Sequence, residues 1–150
     1  MTGNKPDIRE YIDNLLIEQK LMVLATASPE YPYCNLVGFA CTPDLRTLVF
    51  VTGRDTRKYR NLKRNGKVSL LIDNRRNRVQ DFREAAAVTA FGEAEEAAGR
   101  ELEECRDLYV NRHPHLREFV DSPYTAIITV RVKRYTLVRR FQEVVELDME

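Results

Sequence analysis

Leu48-Val49-Phe50-Val51-Thr52-Gly53-Arg54-Asp55-Thr56-Arg57-Lys58-Tyr59-Arg60-Asn61-Leu62 passes from a continuous apolar run into a cluster of bases. Thr47 to Thr52 predicts a strand, and Gly53-Arg54-Asp55 the turn that ends it. Thr56 to Arg64 predicts a short helix with Tyr59, Leu62 and the stem of Lys63 turned inward, stopped by Asn65-Gly66. Between Arg54 and Arg64 stand six bases (Arg54, Arg57, Lys58, Arg60, Lys63, Arg64) against one acid, Asp55. A helix start carries free N–H groups and a partial positive charge, so it attracts anions before any side chain acts. Thr56 adds a hydroxyl, Arg57 a planar fork and Lys58 a mobile ammonium. Together they predict a corner that holds a terminal phosphate. Charge alone favours a solvated basic helix face. The position of the cluster, at one strand end of a nearly neutral chain, turns the reading toward a ligand site.

Outward from this corner, hydrophobic period organises the chain. Ile8, Tyr11, Ile12, Leu15 and Leu16 recur at helical spacing after Asp7 and Glu10, a capping-box pair, and predict an amphipathic helix. Leu21 to Ala27 predicts a strand, closed by Ser28-Pro29-Glu30-Tyr31-Pro32. Tyr33 to Thr42 is a second strand, and Pro43-Asp44-Leu45-Arg46 turns it into the Thr47 strand. Connections this short suit an antiparallel meander and exclude helical crossovers. Lys67 to Asp73 and Ala85 to Ala94 are further strands, joined by a polar loop from Asn74 to Arg83. Glu95 to Arg112 predicts a helix with Ala98, Leu102, Cys105, Leu108 and Tyr109 on one side. Pro114 interrupts it, His115 to Val120 adds a further turn, and Ala126 to Val132 with Tyr135 to Leu147 supply one or two last strands. With no repeat, linker or low-complexity tract, residues 1–150 read as one α+β domain. Its core is a six- to seven-stranded, mainly antiparallel barrel with flanking helices.

Composition narrows the function classes. The chain has 24 Lys and Arg against 23 Asp and Glu, a formal charge of +1. A dedicated nucleic-acid binder carries a basic excess, so nucleic acid is not an expected partner. No apolar stretch approaches the roughly 20 residues that span a bilayer, and the N-terminal residues lack a signal-peptide core. A soluble, cytoplasmic protein is expected. Cys34, Cys41 and Cys105 are odd in number with no C-x-x-C pair, so neither a disulfide framework nor a metal site is expected. Cys34 and Cys41 lie in apolar runs and read as buried packing residues. His113 and His115 flank Pro114 at a spacing poor for chelation, and read as exposed helix-end residues.

The order of several segments resembles the pyridoxamine 5′-phosphate oxidase-like FMN-binding split barrels. The resemblance rests on Leu24 to Pro29 (Leu-Ala-Thr-Ala-Ser-Pro), Leu48 to Gly53, and Thr56 to Leu62 running on into Asn65 to Leu70. Val88 to Ala94, Arg112-His113-Pro114 and Arg139-Arg140-Phe141-Gln142 continue it to the end. It implies a split barrel that binds FMN, with Thr56, Arg57 and Lys58 at the phosphate. Val51 and Thr52 would approach the ribityl chain or ring, and the backbone of Asn35, Leu36 and Val37 the isoalloxazine edge. It implies a homodimer with the flavin site at the two-fold interface. Ala85 to Ala87 fall where relatives carry polar side chains on the partner strand, so only backbone contacts are expected there. It further implies an oxidoreductase acting on a small molecule, with no catalytic residue identified. Tyr33, like the other tyrosines, reads as core or rim packing, with stacking near the flavin as the alternative.

Two departures limit the activity that the resemblance implies. The oxidase itself carries a C-terminal Trp and Arg segment, whereas this chain has no Trp and ends Val144-Val145-Glu146-Leu147-Asp148-Met149-Glu150. Pyridoxamine phosphate oxidation is therefore not expected. Some relatives handle haem through histidine, which leaves haem binding as the alternative, and a deazaflavin stays open beside FMN.

Overall fold

The computed structural model describes residues 5–150, with side chains from Ile8 onward. Helix α1 (Lys5–Glu18) leads into β1 (Leu21–Thr26), β2 (Tyr33–Gly38), β3 (Ala40–Cys41) and β4 (Thr47–Gly53). Helix α2 (Arg57–Arg64), β5 (Lys67–Asp73), α3 (Asp81–Glu84) and β6 (Ala87–Glu96) follow. The chain then forms α4 (Gly99–Arg112), a 3₁₀ turn (Pro114–Leu116), α5 (Arg117–Asp121), β7 (Thr125–Arg139) and β8 (Glu143–Asp148). Every pairing is antiparallel, in the order β2-β1-β5-β6-β7-β4-β3, with β8 added to β7. Strands β2 and β3 stand at opposite ends of that order, yet only Phe39 separates them. The two edges of the sheet are therefore brought together by the chain itself, and the sheet curls into the expected split barrel.

The continuous apolar run of β4 follows from burial on both faces. Leu48 and Phe50 point into the barrel with Leu24, Leu70, Ile72, Ile128, Tyr135 and Leu137. Val49 and Val51 point outward, under Cys105, Tyr109 and Val110 of α4 and Val120 of α5. Ile8, Ile12, Leu15 and Leu16, the stripe read from the sequence, close the main core. The capping box expected at Asp7 concerns a side chain outside the described ones, and α1 already begins at Lys5.

Several boundaries differ from the expected ones. The strand expected over Tyr33 to Thr42 divides at Phe39, where the chain leaves one sheet edge for the other, and this raises the strand count to eight. The helix expected from Glu95 begins at Gly99, because β6 runs on to Glu96 in register with Ile128. Gly99 has φ +63°, a conformation open to glycine at little cost. The last strands break at Arg140-Phe141-Gln142, three successive left-handed residues, and not at Lys133-Arg134. Within the loop Asn74 to Arg83, the Asp81 carboxylate accepts the N–H groups of Arg76, Asn77 and Arg78 and nucleates the short α3.

Cys34 is exposed, not buried as expected, because alternation on β2 turns it to the outer face. His113 is a second correction. It is 2% exposed, its Nε2 lies 2.7 Å from the Phe39 carbonyl, and its ring packs on Tyr109. The close of α4 folds it back onto the β2–β3 corner, while His115 alone of the pair stays exposed.

Candidate functional site

Beyond β3 the barrel opens. Strand β4 pairs with β3 only at Leu48 and Val49, and from Phe50 to Gly53 it is bonded to β7 alone. Strand β2 is bonded to β1 alone. The two strands remain neighbours, so unpaired backbone edges of β2 and β4 line one gap. Asn35, Leu36 and Val37 lie on one edge, and Val51 and Thr52 on the other. The side chains of Val37, Val51 and Thr52 are buried, so what these positions offer a ligand is backbone. Leu36 points to the outer face and is exposed.

The gap ends at the start of α2. Thr56 is its N-cap: the hydroxyl oxygen accepts the Tyr59 N–H at 3.2 Å and donates its proton to the Gly53 carbonyl at 2.8 Å. The Thr52 hydroxyl, 2.9 Å away, fills the remaining lone pair. The hydroxyl predicted as a ligand donor is thus engaged within the turn, and Thr56 contributes the shape of the corner. The N–H groups of Arg57 and Lys58 fall in the first turn, outside the helix's own ladder, and point out of its N-terminus.

Tertiary contacts sort the six bases in a way the sequence does not. Arg54 and Lys63 converge on Glu96, at 2.6 and 3.6 Å, and the Tyr59 hydroxyl donates to the same carboxylate at 2.7 Å. Against the upward push of its burial, Tyr59 and Arg54 hold the Glu96 carboxyl below its ordinary range. Arg60 donates to the Asp55 carbonyl at 2.8 Å. Among the described residues, Arg57 and Lys58 make no ion pair. The Arg57 guanidinium stands 5.3 Å from the Tyr33 ring centroid, so it bridges α2 and β2 across the gap. Lys58 is half-buried, and desolvation lowers its pKa from the ordinary lysine value. Two cations without a carboxylate beside two free N–H groups make this corner locally positive.

Three features escaped the sequence reading. The buried Asn61 amide donates to the Thr26 hydroxyl at 3.0 Å and ties α2 to β1, yet it reads in sequence as one more polar helix residue. Glu96 acts on bases more than thirty positions away. The Asn35 side-chain oxygen is buried without a partner. A cavity of about 500 Å³ is lined by Ala25, Pro32, Ser69, Phe91 and Lys133 among others, and by neither Arg57 nor Lys58. A smaller one of about 250 Å³ surrounds Ala85 to Ala87, with Phe82 and Phe141.

A barrel split between β2 and β4, closing on a basic helix start, defines the class of split-barrel proteins. The chain belongs to the pyridoxamine 5′-phosphate oxidase family, whose model matches residues 8–139. No curated protein matches it. Its fold is similar to that of a haem-binding protein from Mycobacterium smegmatis, with TM-score 0.82, 18% identity and 99% of this chain covered. The chain spans 59% of that protein's length. A Clostridium acetobutylicum protein related to general stress protein 26 of B. subtilis, of the pyridoxinephosphate oxidase family, aligns with TM-score 0.72 and 15% identity over 98% of this chain and 97% of its own. An FAD-binding protein from Mesorhizobium loti aligns with TM-score 0.70 and 16% identity, covering 86% of this chain and 90% of its own. At these identities the likeness is one of fold.

Proposed function

We propose that the gap between β2 and β4 binds FMN, and that the chain is a flavin-dependent oxidoreductase acting as a homodimer on a small molecule. The observation that carries this reading is the sorting of the bases. Four neighbours belong to internal contacts or to the far turns of α2, while Arg57 and Lys58 stand uncompensated at its N-terminus. That donor set fits a terminal phosphate dianion. The unpaired edges at Asn35 to Val37 and at Val51 to Thr52 suit a flat, polar-edged ring, which needs backbone donors and acceptors more than side chains. Once bound, the flavin supplies hydride or electron transfer. The chain's part is to anchor the phosphate with Arg57 and Lys58, orient the ring between the edges, and exclude water on the Thr52 side.

The dimer reading is supported by an uncovered sheet face. Leu36, Val23, Leu71, Thr89, Thr136 and Glu146 form one cross-strand row from β2 to β8. Around it stand Leu21, Val138 and Val144, exposed at 56, 40 and 60%. An apolar face of this breadth marks an interaction surface, and a second copy would set its Ala85 to Ala87 segment against the flavin.

The visible spectrum and the mass of the small molecule that copurifies test the reading. Flavin absorption with the mass of FMN is expected, and a Soret band in its place would favour haem. The burial of His113 on the Phe39 carbonyl supports the flavin over histidine-ligated haem. Arg57→Ala with Lys58→Ala should weaken FMN binding by tenfold or more, since each charge-assisted bond contributes about 1.5–3 kcal/mol. Unchanged affinity in the double variant would refute the phosphate assignment.

A further inference from the structure

Among the described residues, two buried side-chain polar atoms lack a hydrogen-bond partner, Arg112 Nε and Asn35 Oδ1. Arg112 is already anchored through its terminal nitrogen, which donates to the carbonyls of Leu16, Ile17 and Gln19 at the end of α1. Asn35 has no such anchor. It lies on β2 between Tyr33 and Val37, on their face of the strand and about 7 Å from each. Tyr33 carries the Arg57 guanidinium, and Val37 belongs to the core. The Asn35 amide therefore stands on the inner face of β2, between the residue that carries Arg57 and the buried Val37, on a strand whose free edge borders the gap. A buried amide oxygen without a donor is uncommon in folded proteins. It fits a bound molecule that brings an N–H of its own.

We propose that the Asn35 side-chain oxygen accepts the N3–H of the bound flavin and so determines specificity for its pyrimidine ring. This assignment rests on the flavin reading above. The chemistry of the ring selects the atom. In an oxidised isoalloxazine N1, N5, O2 and O4 are acceptors, and N3 carries the single ring N–H. Haem has no equivalent donor, because its ring nitrogens bind iron and its propionates are anions at neutral pH. An orphaned acceptor in the gap thus distinguishes flavins from porphyrins as well as setting the ring's orientation.

The test uses protein freed of bound flavin and titrated, by quenching of flavin fluorescence, with FMN and with 3-methyl-FMN, which lacks the N3–H. Wild-type protein should bind 3-methyl-FMN about tenfold more weakly than FMN. Asn35→Ala should bind FMN about tenfold more weakly than wild type and no longer discriminate. Asn35→Leu, which keeps the branched shape and has no acceptor, serves the same comparison should the alanine variant not fold. Equal affinity of wild type for the two flavins, or discrimination that persists in the variants, overturns the assignment alone. No FMN binding by wild type overturns the flavin reading and the assignment with it.

Discussion

Arg57 and Lys58 combine the lack of a carboxylate, which Arg60 and Arg64 share, with a place in the first turn of α2, and Lys58 is also partly desolvated. Burial places its pKa below the ordinary lysine value of 10.5. Between the two values the unfolded chain holds a proton that the folded chain has lost, so folding stability rises with pH there while the ammonium proposed to hold the phosphate disappears. FMN affinity is therefore expected to fall on the alkaline side before an ordinary lysine would titrate, and Lys58→Arg should move that limb to higher pH. Titrations from pH 8 to 11 would show it, and identical limbs in the two proteins would exclude Lys58 from the contact. His113 behaves in the opposite pH range. Burial lowers its pKa from 6.5, with the charges of Arg112, His115 and Lys20 adding to the effect and the Phe39 carbonyl opposing it. As the pH falls below 6.5 the unfolded chain takes up a proton first, so stability declines toward the folded pKa. His113→Gln keeps a donor for Phe39 and should flatten that decline in urea unfolding measured between pH 7.5 and 5.

At the scale of elements, the split is a matter of where pairing stops. Strands β2 and β4 separate because Phe39 carries the chain across, and the His113 and Phe39 contact fixes that corner. On the other side of the barrel the β6–β7 register shifts between Phe91 and Gly92, where Lys133 of β7 is the extra, bulged residue. A Cβ on Gly92 would run into the Arg131 carbonyl oxygen, which is backbone and has no room to move. Gly92→Ala is expected to destabilise the protein by about 2 kcal/mol or more through overpacking and loss of ladder bonds. Chemical denaturation gives the number, and a change within about 0.5 kcal/mol would show that the bulge relaxes freely.

The whole molecule divides its surface unequally. Helices α4 and α5 cover the outer side of β4 and the first half of β7, while the outer face from β2 to β8 is left bare. Its edges carry Leu36 and Val144, at 63 and 60% exposure. Leu36→Lys combined with Val144→Lys is expected to convert the proposed dimer to a monomer without loss of the fold, since neither side chain is in the core. Sedimentation velocity checks the mass and circular dichroism the fold. Flavin occupancy should fall with the dimer, and a monomeric variant that retains full occupancy would place the site within a single chain. No helix among the described residues is long and apolar enough to cross a membrane.

Much of this architecture follows from the sequence alone. Period sets the elements: the helical stripe of Ile8 to Leu16, the strand at Leu48 to Val51, and the stop at Asn65-Gly66 are local properties of the chain. The basic helix start at Thr56 was legible for the same reason, since a helix start and the bases on it are neighbours in sequence. Boundaries were less so. Ladder bonds to Ile128 decide whether Glu95 and Glu96 extend a strand or open a helix, and that partner lies more than thirty residues away. Only the tertiary structure separated Arg54 and Lys63, which share the Glu96 carboxylate, from Arg57 and Lys58, which have none. It alone buried His113, exposed Cys34 and orphaned the oxygen of Asn35. Sequence fixes which charges and hydrogen-bonding groups exist and how they repeat along the chain. Which of them find a partner depends on contacts between distant segments, and the groups left without one are those available to a ligand.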